Sequence, residues 1–249
     1  MKIFTLGVLL ASFSTFAQES INIYGPGGPA PAIKENAKVF QDKFGVIINL
    51  TSGPQNKWQE SALKNADLIY SGSEAMLHDM KRNFDLFKSK ALYMRPVSIL
   101  VRKGNPKNIT GIKSLLDKDI KIMVVNGAGQ TGLWEDVIGR TGKVSDIDNI
   151  NSKITFYANN SAEALKKWND DPAVDAWIIW NHWQNNIKDT SELISVEPQY
   201  RIYRPFSIAY TSSGLTKENT KKFIEYLSSN EASEIFARYG WKPSWETDR

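Results

Sequence analysis

Short loops without charged side chains follow most of the strand-like segments of this 249-residue chain. They hold glycines, hydroxyl groups and amides, and each precedes a helix-like or polar segment. These loops lie at residues 25–28, 51–53, 71–73, 126–132, 159–161 and 180–181. Backbone N–H groups at a helix N-terminus are unpaired and carry a positive partial charge, so such loops can bind an anion without Lys or Arg. The sequence therefore predicts a neutral anion site lined by hydrogen-bond donors.

The first loop, GPGGPAP at 25–31, fits this chemistry best. Its glycines let the backbone approach a ligand closely, and Pro31 suits the first turn of a helix. The alternative is a set of tight turns with ordinary helix caps, since Ser71-x-x-Glu74 and Asn160-x-x-Glu163 match capping boxes. The joint occurrence of the loops favours the anion site.

Motifs for catalysis or metal binding are missing from the sequence. It has two histidines and no cysteine, and it lacks zinc-ligand spacing, a Walker A loop, a G-x-S-x-G motif and a Rossmann fingerprint. His78 falls in a helical stretch, where we expect it on the helix surface or in the core. His182 comes shortly after Trp180 and is a minor candidate for ligand contact. We therefore expect no enzymatic activity, no cofactor and no metal.

Strand-like and helix-like segments alternate along the chain, which predicts an α/β fold of parallel sheets with helices on both faces. In the first helix, Ile33, Ala37, Phe40 and Phe44 recur at helical spacing. Ligands of open α/β sheets bind beyond the carboxyl ends of the strands. The neutral loops lie at those ends, and Trp180 ends its strand there too.

The motif Arg-Pro-x-Ser-Ile occurs twice, starting at Arg95 and Arg204. We interpret the copies as crossings between two Rossmann-like lobes, residues 18–95 plus 207–249 and residues 96–206, which would form a two-strand hinge. The two arginines could form salt bridges between the lobes or pair with a charged ligand.

Residues 1–17 carry a positive charge at Lys2, continue through a short apolar run and end at Ala17. This pattern predicts a cleaved secretory signal peptide, with a buried N-terminal helix as the alternative. The lack of cysteine fits an exported protein without a disulfide or a lipid anchor, and a Gram-negative periplasm is the expected location. The net charge of +4 is dispersed, so we expect no nucleic-acid binding.

The segments YGPGGPAP, TSGPQNKW, ADLIYSGSE and the tail FARYGWKP resemble the type II periplasmic solute-binding proteins. The similarity covers essentially the whole mature chain. Within this superfamily the chain resembles the molybdate- and sulfate-binding proteins and, more specifically, the accessory colonization factors of the AcfC type.

The resemblance implies an oxyanion site built from the strand-end loops of both lobes. The residues that it assigns are Gly27, Gly28, Ser52, Thr131, Ser161 and Trp180. Gly53, Ser71 and Gly132 of the strand-end loops complete the predicted site. The chain has glycine where the molybdate-binding relatives have serine, and tryptophan where they have tyrosine. These two differences leave the identity of the anion open.

The expected function is the capture of a sulfate-like anion, a sulfonate or a carboxylate between two closing lobes. The protein would act as a monomer and deliver its ligand to an ABC permease or a chemoreceptor in the inner membrane. The alternative is a colonization or adhesion factor that recognises sulfated or acidic glycans on a host surface.

Overall fold

The computed structural model describes residues 19–127 and 129–245. Its strands are β1 (Ser20–Gly25), β2 (Ile47–Ser52), β3 (Leu68–Ser71), β4 (Phe87–Arg102), β5 (Ile122–Val125), β6 (Ile154–Ala158), β7 (Ala176–Trp180), β8 (Ser191–Ser195), β9 (Tyr203–Tyr210) and β10 (Lys242–Pro243). Its α-helices are α1 (Ala30–Phe44), α2 (Gln59–Asn65), α3 (Glu74–Met80), α4 (Ile112–Asp117), α5 (Leu133–Gly139), α6 (Val144–Lys153), α7 (Ser161–Asp170), α8 (Ser212–Thr216), α9 (Glu218–Leu227) and α10 (Asn230–Arg238). Two 3₁₀ segments cover Gln55–Lys57 and Asn181–Asn186.

The predicted signal peptide at residues 1–17 lies outside the described residues. Among the helices that the structure describes, none is both long and apolar enough to cross a membrane.

The strands form one mixed sheet in the order β2-β1-β3-β9-β4-β7-β5-β6, and β8 and β10 also pair with β4. β1 runs parallel to β2 and β3, and β5 runs parallel to β6 and β7. In the centre, β9 is antiparallel to β3 and β4, and β4 is antiparallel to β7. The prediction of parallel pairing is therefore right for the two outer groups of strands and wrong for the centre.

The two copies of the Arg-Pro-x-Ser-Ile motif lie side by side in that centre. Arg95 on β4 is the register partner of Arg204 on β9, and Pro96 pairs with Tyr203. From Val97 onward β4 pairs with β7 instead. The 16-residue β4 therefore connects the two groups of parallel strands.

Buried apolar side chains form two large clusters that follow this division. One contains residues between 97 and 202, and the other contains residues of 21–93 together with 206–241. A smaller cluster holds Tyr24, Trp58, Ile69 and Met80. Each group of parallel strands thus has its own apolar core, and the loops at the strand ends lie between the two.

The C-terminal segment contains two helices that follow each other closely. α9 ends at Leu227, and Ser229 caps α10 by accepting a hydrogen bond from the Ala232 N–H at 3.3 Å. Serine favours an N-cap over a helix interior, which accounts for the break. Strand β8 was not predicted, because its alternating burial gives it only two strongly apolar residues.

Candidate functional site

A cavity of about 650 Å³ lies where the loops after β1, β2, β3, β5, β6 and β7 converge. Its polar wall includes Arg95, Gln130, Ser161 and His182, and its apolar wall consists of Trp58, Met76, Met80, Trp180 and Trp183. None of its described lining residues is acidic. The cavity therefore combines cationic and neutral hydrogen-bonding groups with a broad apolar surface.

A larger groove of about 930 Å³ runs along α1 and β2. It is lined by exposed Lys34, Lys38 and Asp42, and the last two form an ion pair at 3.0 Å. Exposed pairs of this kind are common on protein surfaces and contribute little. We place the candidate site in the smaller cavity, because its polar groups are buried.

Arg95 is the main charge of the cavity, and only 6% of its surface is exposed. Its Nη2 donates to the Gly72 carbonyl at 2.8 Å. Its Cζ lies 4.9 Å from the ring centre of Trp180 and 5.0 Å from that of Trp241, within the range of cation–π contacts. Among the described residues, Nε has no hydrogen-bond partner and no carboxylate forms an ion pair with the guanidinium.

Burial, and to a smaller extent the charge of Arg204, lowers the pKa of Arg95 to about 9. This value is above neutral pH, so Arg95 keeps its charge. Buried charges are normally paired, since an isolated one carries a large desolvation penalty. The site thus holds a cation whose counter-ion is not supplied by the described part of the chain.

His182 lies next to Arg95 and faces the backbone of Gly28. A Cβ atom at Gly28 would be 3.0 Å from Arg95 Nη1 and 3.5 Å from His182 Nε2. Burial, and then the charge of Arg95, lowers the pKa of His182 well below its ordinary value. The imidazole is therefore neutral at pH 7, and neither ring nitrogen has a partner among the described residues.

Further hydrogen-bonding groups lie across the cavity. Gln130 Nε2 donates to Ser161 Oγ at 2.5 Å, and Gln130 Oε1 is buried without a described partner. Asn160 caps α7 by accepting from the Glu163 N–H at 3.0 Å, which is one half of the predicted capping box. In the other half, Glu163 Oε2 accepts from the Asn159 N–H at 2.8 Å and not from that of Asn160. No side chain caps the N-terminus of α1, where Gly27 and Gly28 precede the helix.

The structure brings some of the predicted site residues together and leaves others apart. Those that line the cavity are Gly27, Gly28, Gly53, Arg95, Ser161 and Trp180. Those that do not are Ser52, Ser71, Thr131, Gly132 and Arg204.

The residues outside the cavity have identifiable places. Ser52 and Thr131 are exposed, and Ser71 is fully buried. Gly132 precedes α5 with a φ of 74°, a conformation that favours glycine. Arg204 forms an ion pair with Asp136 on α5, with 2.7 Å between Nη2 and Oδ2.

Sequence reasoning missed several lining residues. Trp58 was not among the predicted site residues, yet it lines the cavity, and its Nε1 donates to the Gly53 carbonyl at 3.0 Å. Gln130 lies inside the predicted loop at 126–132 but was not singled out, although its polar side chain between glycines was a usable signal. The capping box at Ser71 is wrong: Ser73 caps α3 by accepting from the Met76 N–H at 3.2 Å.

Comparison with solved structures gives close matches. PEB3 from Campylobacter jejuni is 38% identical with a TM-score of 0.78, and the alignment covers 89% of this chain and 99% of that one. PEB3 bound to L-phospholactate is 39% identical with a TM-score of 0.79 and the same coverage. Comparison with curated proteins gives no match.

More distant structures share the fold. The sulfate-binding protein SubI from Mycobacterium tuberculosis H37Rv is 17% identical with a TM-score of 0.71, and the alignment covers 91% of this chain and 87% of that one. The substrate-binding domain of a molybdenum ABC transporter from Clostridium difficile has the same identity and TM-score, with 90% and 98% covered. The expected α/β fold of type II periplasmic binding proteins is confirmed.

A family model described as bacterial extracellular solute-binding protein matches residues 21–242. This range holds both apolar cores and every residue that lines the cavity. The chain therefore belongs to the family of bacterial extracellular solute-binding proteins.

Proposed function

We propose that this protein captures a small organic anion in the cavity around Arg95 and acts on it by binding alone, without chemistry. The observation that carries the proposal is the buried guanidinium of Arg95, whose Nε lacks a partner and which no described carboxylate neutralises. An oxyanion would supply both the missing charge and the missing acceptor, and hydrogen bonds between charged groups are the stronger ones.

The apolar wall supports a ligand with a carbon skeleton over a bare inorganic ion. A cavity of about 650 Å³ exceeds what sulfate alone would fill, and Trp58, Met76 and Trp180 offer rings and a thioether to carbon atoms. The relative PEB3, with L-phospholactate bound, supports a phosphorylated carboxylic acid as the ligand class. Sulfonates and carboxylates of similar size share this chemistry.

We further propose that ligand binding closes two lobes, residues 18–95 plus 207–249 and residues 96–206. Two separate apolar cores joined through β4 and β9 support this division. Closure would be the step that brings Ser52 and Thr131, which stay predicted contacts, towards the ligand. The closed form would then be recognised by an ABC permease or a receptor after export of the mature chain.

Isothermal titration calorimetry with L-phospholactate, sulfate, molybdate and lactate tests the proposal. We expect L-phospholactate to bind the wild-type protein and Arg95→Gln to weaken binding by about tenfold to a hundredfold, as expected for the loss of a hydrogen bond between charged groups. Arg204→Gln is the matched control, because Arg204 is engaged by Asp136 and lies outside the cavity.

Equal binding by wild type and Arg95→Gln would place the ligand elsewhere. Failure of all four anions to bind the wild-type protein would refute the small-anion proposal itself.

A further inference from the structure

His182 is the second basic side chain of the cavity, and its imidazole lacks the partners that a buried histidine needs. It is 8% exposed, and neither Nδ1 nor Nε2 has a hydrogen-bond partner among the described residues. A neutral imidazole has one donor and one acceptor nitrogen, and leaving both unsatisfied in the interior is unfavourable. Nε2 points to the same position beside Gly28 as Arg95 Nη1. This geometry points to a ligand group placed between the two side chains.

Burial, and then a neighbouring positive charge, keeps the pKa of His182 well below its ordinary value. Arg95 on β4 is the charged group that acts on it, and it disfavours a second positive charge. On β8, Glu192 accepts a hydrogen bond from the Gly104 N–H at 3.0 Å, and on β10 Lys242 is exposed. The 3₁₀ segment of His182 itself, Asn181–Asn186, carries no other charged residue. Within the described chain, no carboxylate is placed to balance a proton on the imidazole.

We propose that His182 is a ligand-anchoring residue that takes up one proton from solvent when a dianionic phosphate group binds beside Arg95. The inference rests on the proposed function. A singly charged group is balanced by Arg95 alone, whereas a dianion leaves one negative charge to be matched. A proton on His182 matches it and turns the contact with Nε2 into a charge-assisted hydrogen bond.

The proton balance of the step is simple. The free protein with neutral His182, a free ligand that carries a dianionic phosphate group and one proton from water combine to a complex in which Arg95 and His182 each carry a positive charge. Two positive charges then face the two negative charges of the phosphate group, and the carboxylate of a ligand such as L-phospholactate keeps its own charge on both sides of the step. His182 thereby favours phosphate monoesters, which can reach a charge of −2 near neutral pH, over carboxylates, which carry a single negative charge.

Calorimetry in two buffers of different ionisation enthalpy, such as HEPES and Tris, measures the proton uptake. We would use L-phospholactate at about pH 7.5, because a phosphate monoester group with a second pKa of about 6 is mostly dianionic there. The wild-type protein should take up nearly one proton per ligand. His182→Gln should take up none, and it should bind about tenfold more weakly or worse after losing a charged partner. His78→Gln, which changes an exposed residue of α3, should behave like wild type.

NMR on the His78→Gln protein gives an independent measurement that does not depend on the folding of His182→Gln. The chain has two histidines, so this variant leaves the imidazole signals of His182 alone. We expect signals of the neutral ring in the empty protein and of imidazolium after L-phospholactate is added.

Each contrary result has its own meaning. Binding without proton uptake, or a ring that stays neutral in the complex, overturns the inference and leaves the proposed function standing. Uptake that persists in His182→Gln places the proton on the phosphate and also overturns it. If L-phospholactate fails to bind the wild-type protein, both this ligand class and the inference fall.

Discussion

Replacing Gly28 by alanine should weaken ligand binding strongly while hardly changing the stability of the ligand-free protein. The added Cβ would lie 3.0 Å from Arg95 Nη1 and 3.5 Å from His182 Nε2, in the space where we place the anion. The guanidinium can yield by a few tenths of an ångström, and the φ of Gly28 is not among the positive values that would make alanine strained. Gly→Ala at a compatible backbone conformation changes stability by about 0.4–1 kcal/mol, so the free energy of unfolding should change by no more than about 1 kcal/mol.

The effect on affinity follows from the contacts that the methyl group displaces. Loss of the contact between the anion and Arg95 by itself weakens the binding free energy by about 1.5–3 kcal/mol, which raises Kd by roughly tenfold to 150-fold. Separation from His182 as well would place the loss at the upper end of this range. Calorimetric titration with L-phospholactate measures it, and thermal unfolding of the empty protein checks that the fold is intact.

Gly27→Ala is the matched comparison within the same loop. A Cβ at Gly27 would meet nothing within 4 Å, and alanine keeps the backbone N–H that a ligand could use. We expect its affinity to stay within about threefold of wild type, less than the effect of one lost hydrogen bond. If Gly28→Ala binds as tightly as Gly27→Ala, the anion does not lie between Arg95 and His182, and the reasoning about the site is wrong.

Three further predictions concern stability and the second arginine. Asp67 is fully buried and accepts hydrogen bonds from the Asn22 N–H and the Ser213 hydroxyl. Asp67→Ala should therefore lower the free energy of unfolding, measured by urea titration, by roughly 2–3 kcal/mol. A loss below about 0.5 kcal/mol would contradict this prediction. Because the pKa of His182 is depressed in the folded state, only the unfolded state takes up the proton just below about pH 6.5. The contribution of His182 to the stability of the ligand-free protein should therefore be complete above that pH. Below it, the free energy of unfolding should fall by up to about 1.4 kcal/mol per pH unit. Thermal melts of His182→Gln should show a flatter pH dependence, and equal slopes would show that His182 is not the titrating group. Arg204→Gln breaks a partly exposed ion pair with Asp136 and should change stability by less than about 1 kcal/mol in the same melts.

The helices and strands could be predicted where one buried face gives a regular spacing of apolar residues in the sequence. The helical spacing of Ile33, Ala37 and Phe40 predicts a helix there, and α1 forms at Ala30–Phe44 with these three side chains buried on one face. Strand direction could not be predicted in the same way. The pairing of β4 with β9 joins residues more than a hundred positions apart, and the local pattern of an antiparallel strand buried on both faces equals that of a parallel one.

The location of the site could be predicted from the sequence, whereas the full set of side chains that line it could not. Loops at strand ends converge because parallel strands share one edge, and Gly28, Gly53 and Ser161 follow from that rule. The sequence left two roles open for Arg95, a salt bridge between the lobes or a contact with a charged ligand, since a strand residue at a crossing can face the other lobe or the cavity. The structure separates the arginines: Arg204 has a carboxylate partner, whereas Arg95 turns into the cavity.

The polar atoms without described partners give a physical account of how such a site binds. Arg95 Nε, Gln130 Oε1, Trp180 Nε1 and both nitrogens of His182 are all buried, and all belong to residues that line one cavity. Buried polar groups are normally satisfied, and other such atoms are scattered through the described chain, but in this cavity five of them face one space that a ligand could fill. An anionic ligand that bonds to Arg95 and His182 would pair groups that the described part of the chain leaves without partners, and hydrogen bonds to charged groups are the strong ones.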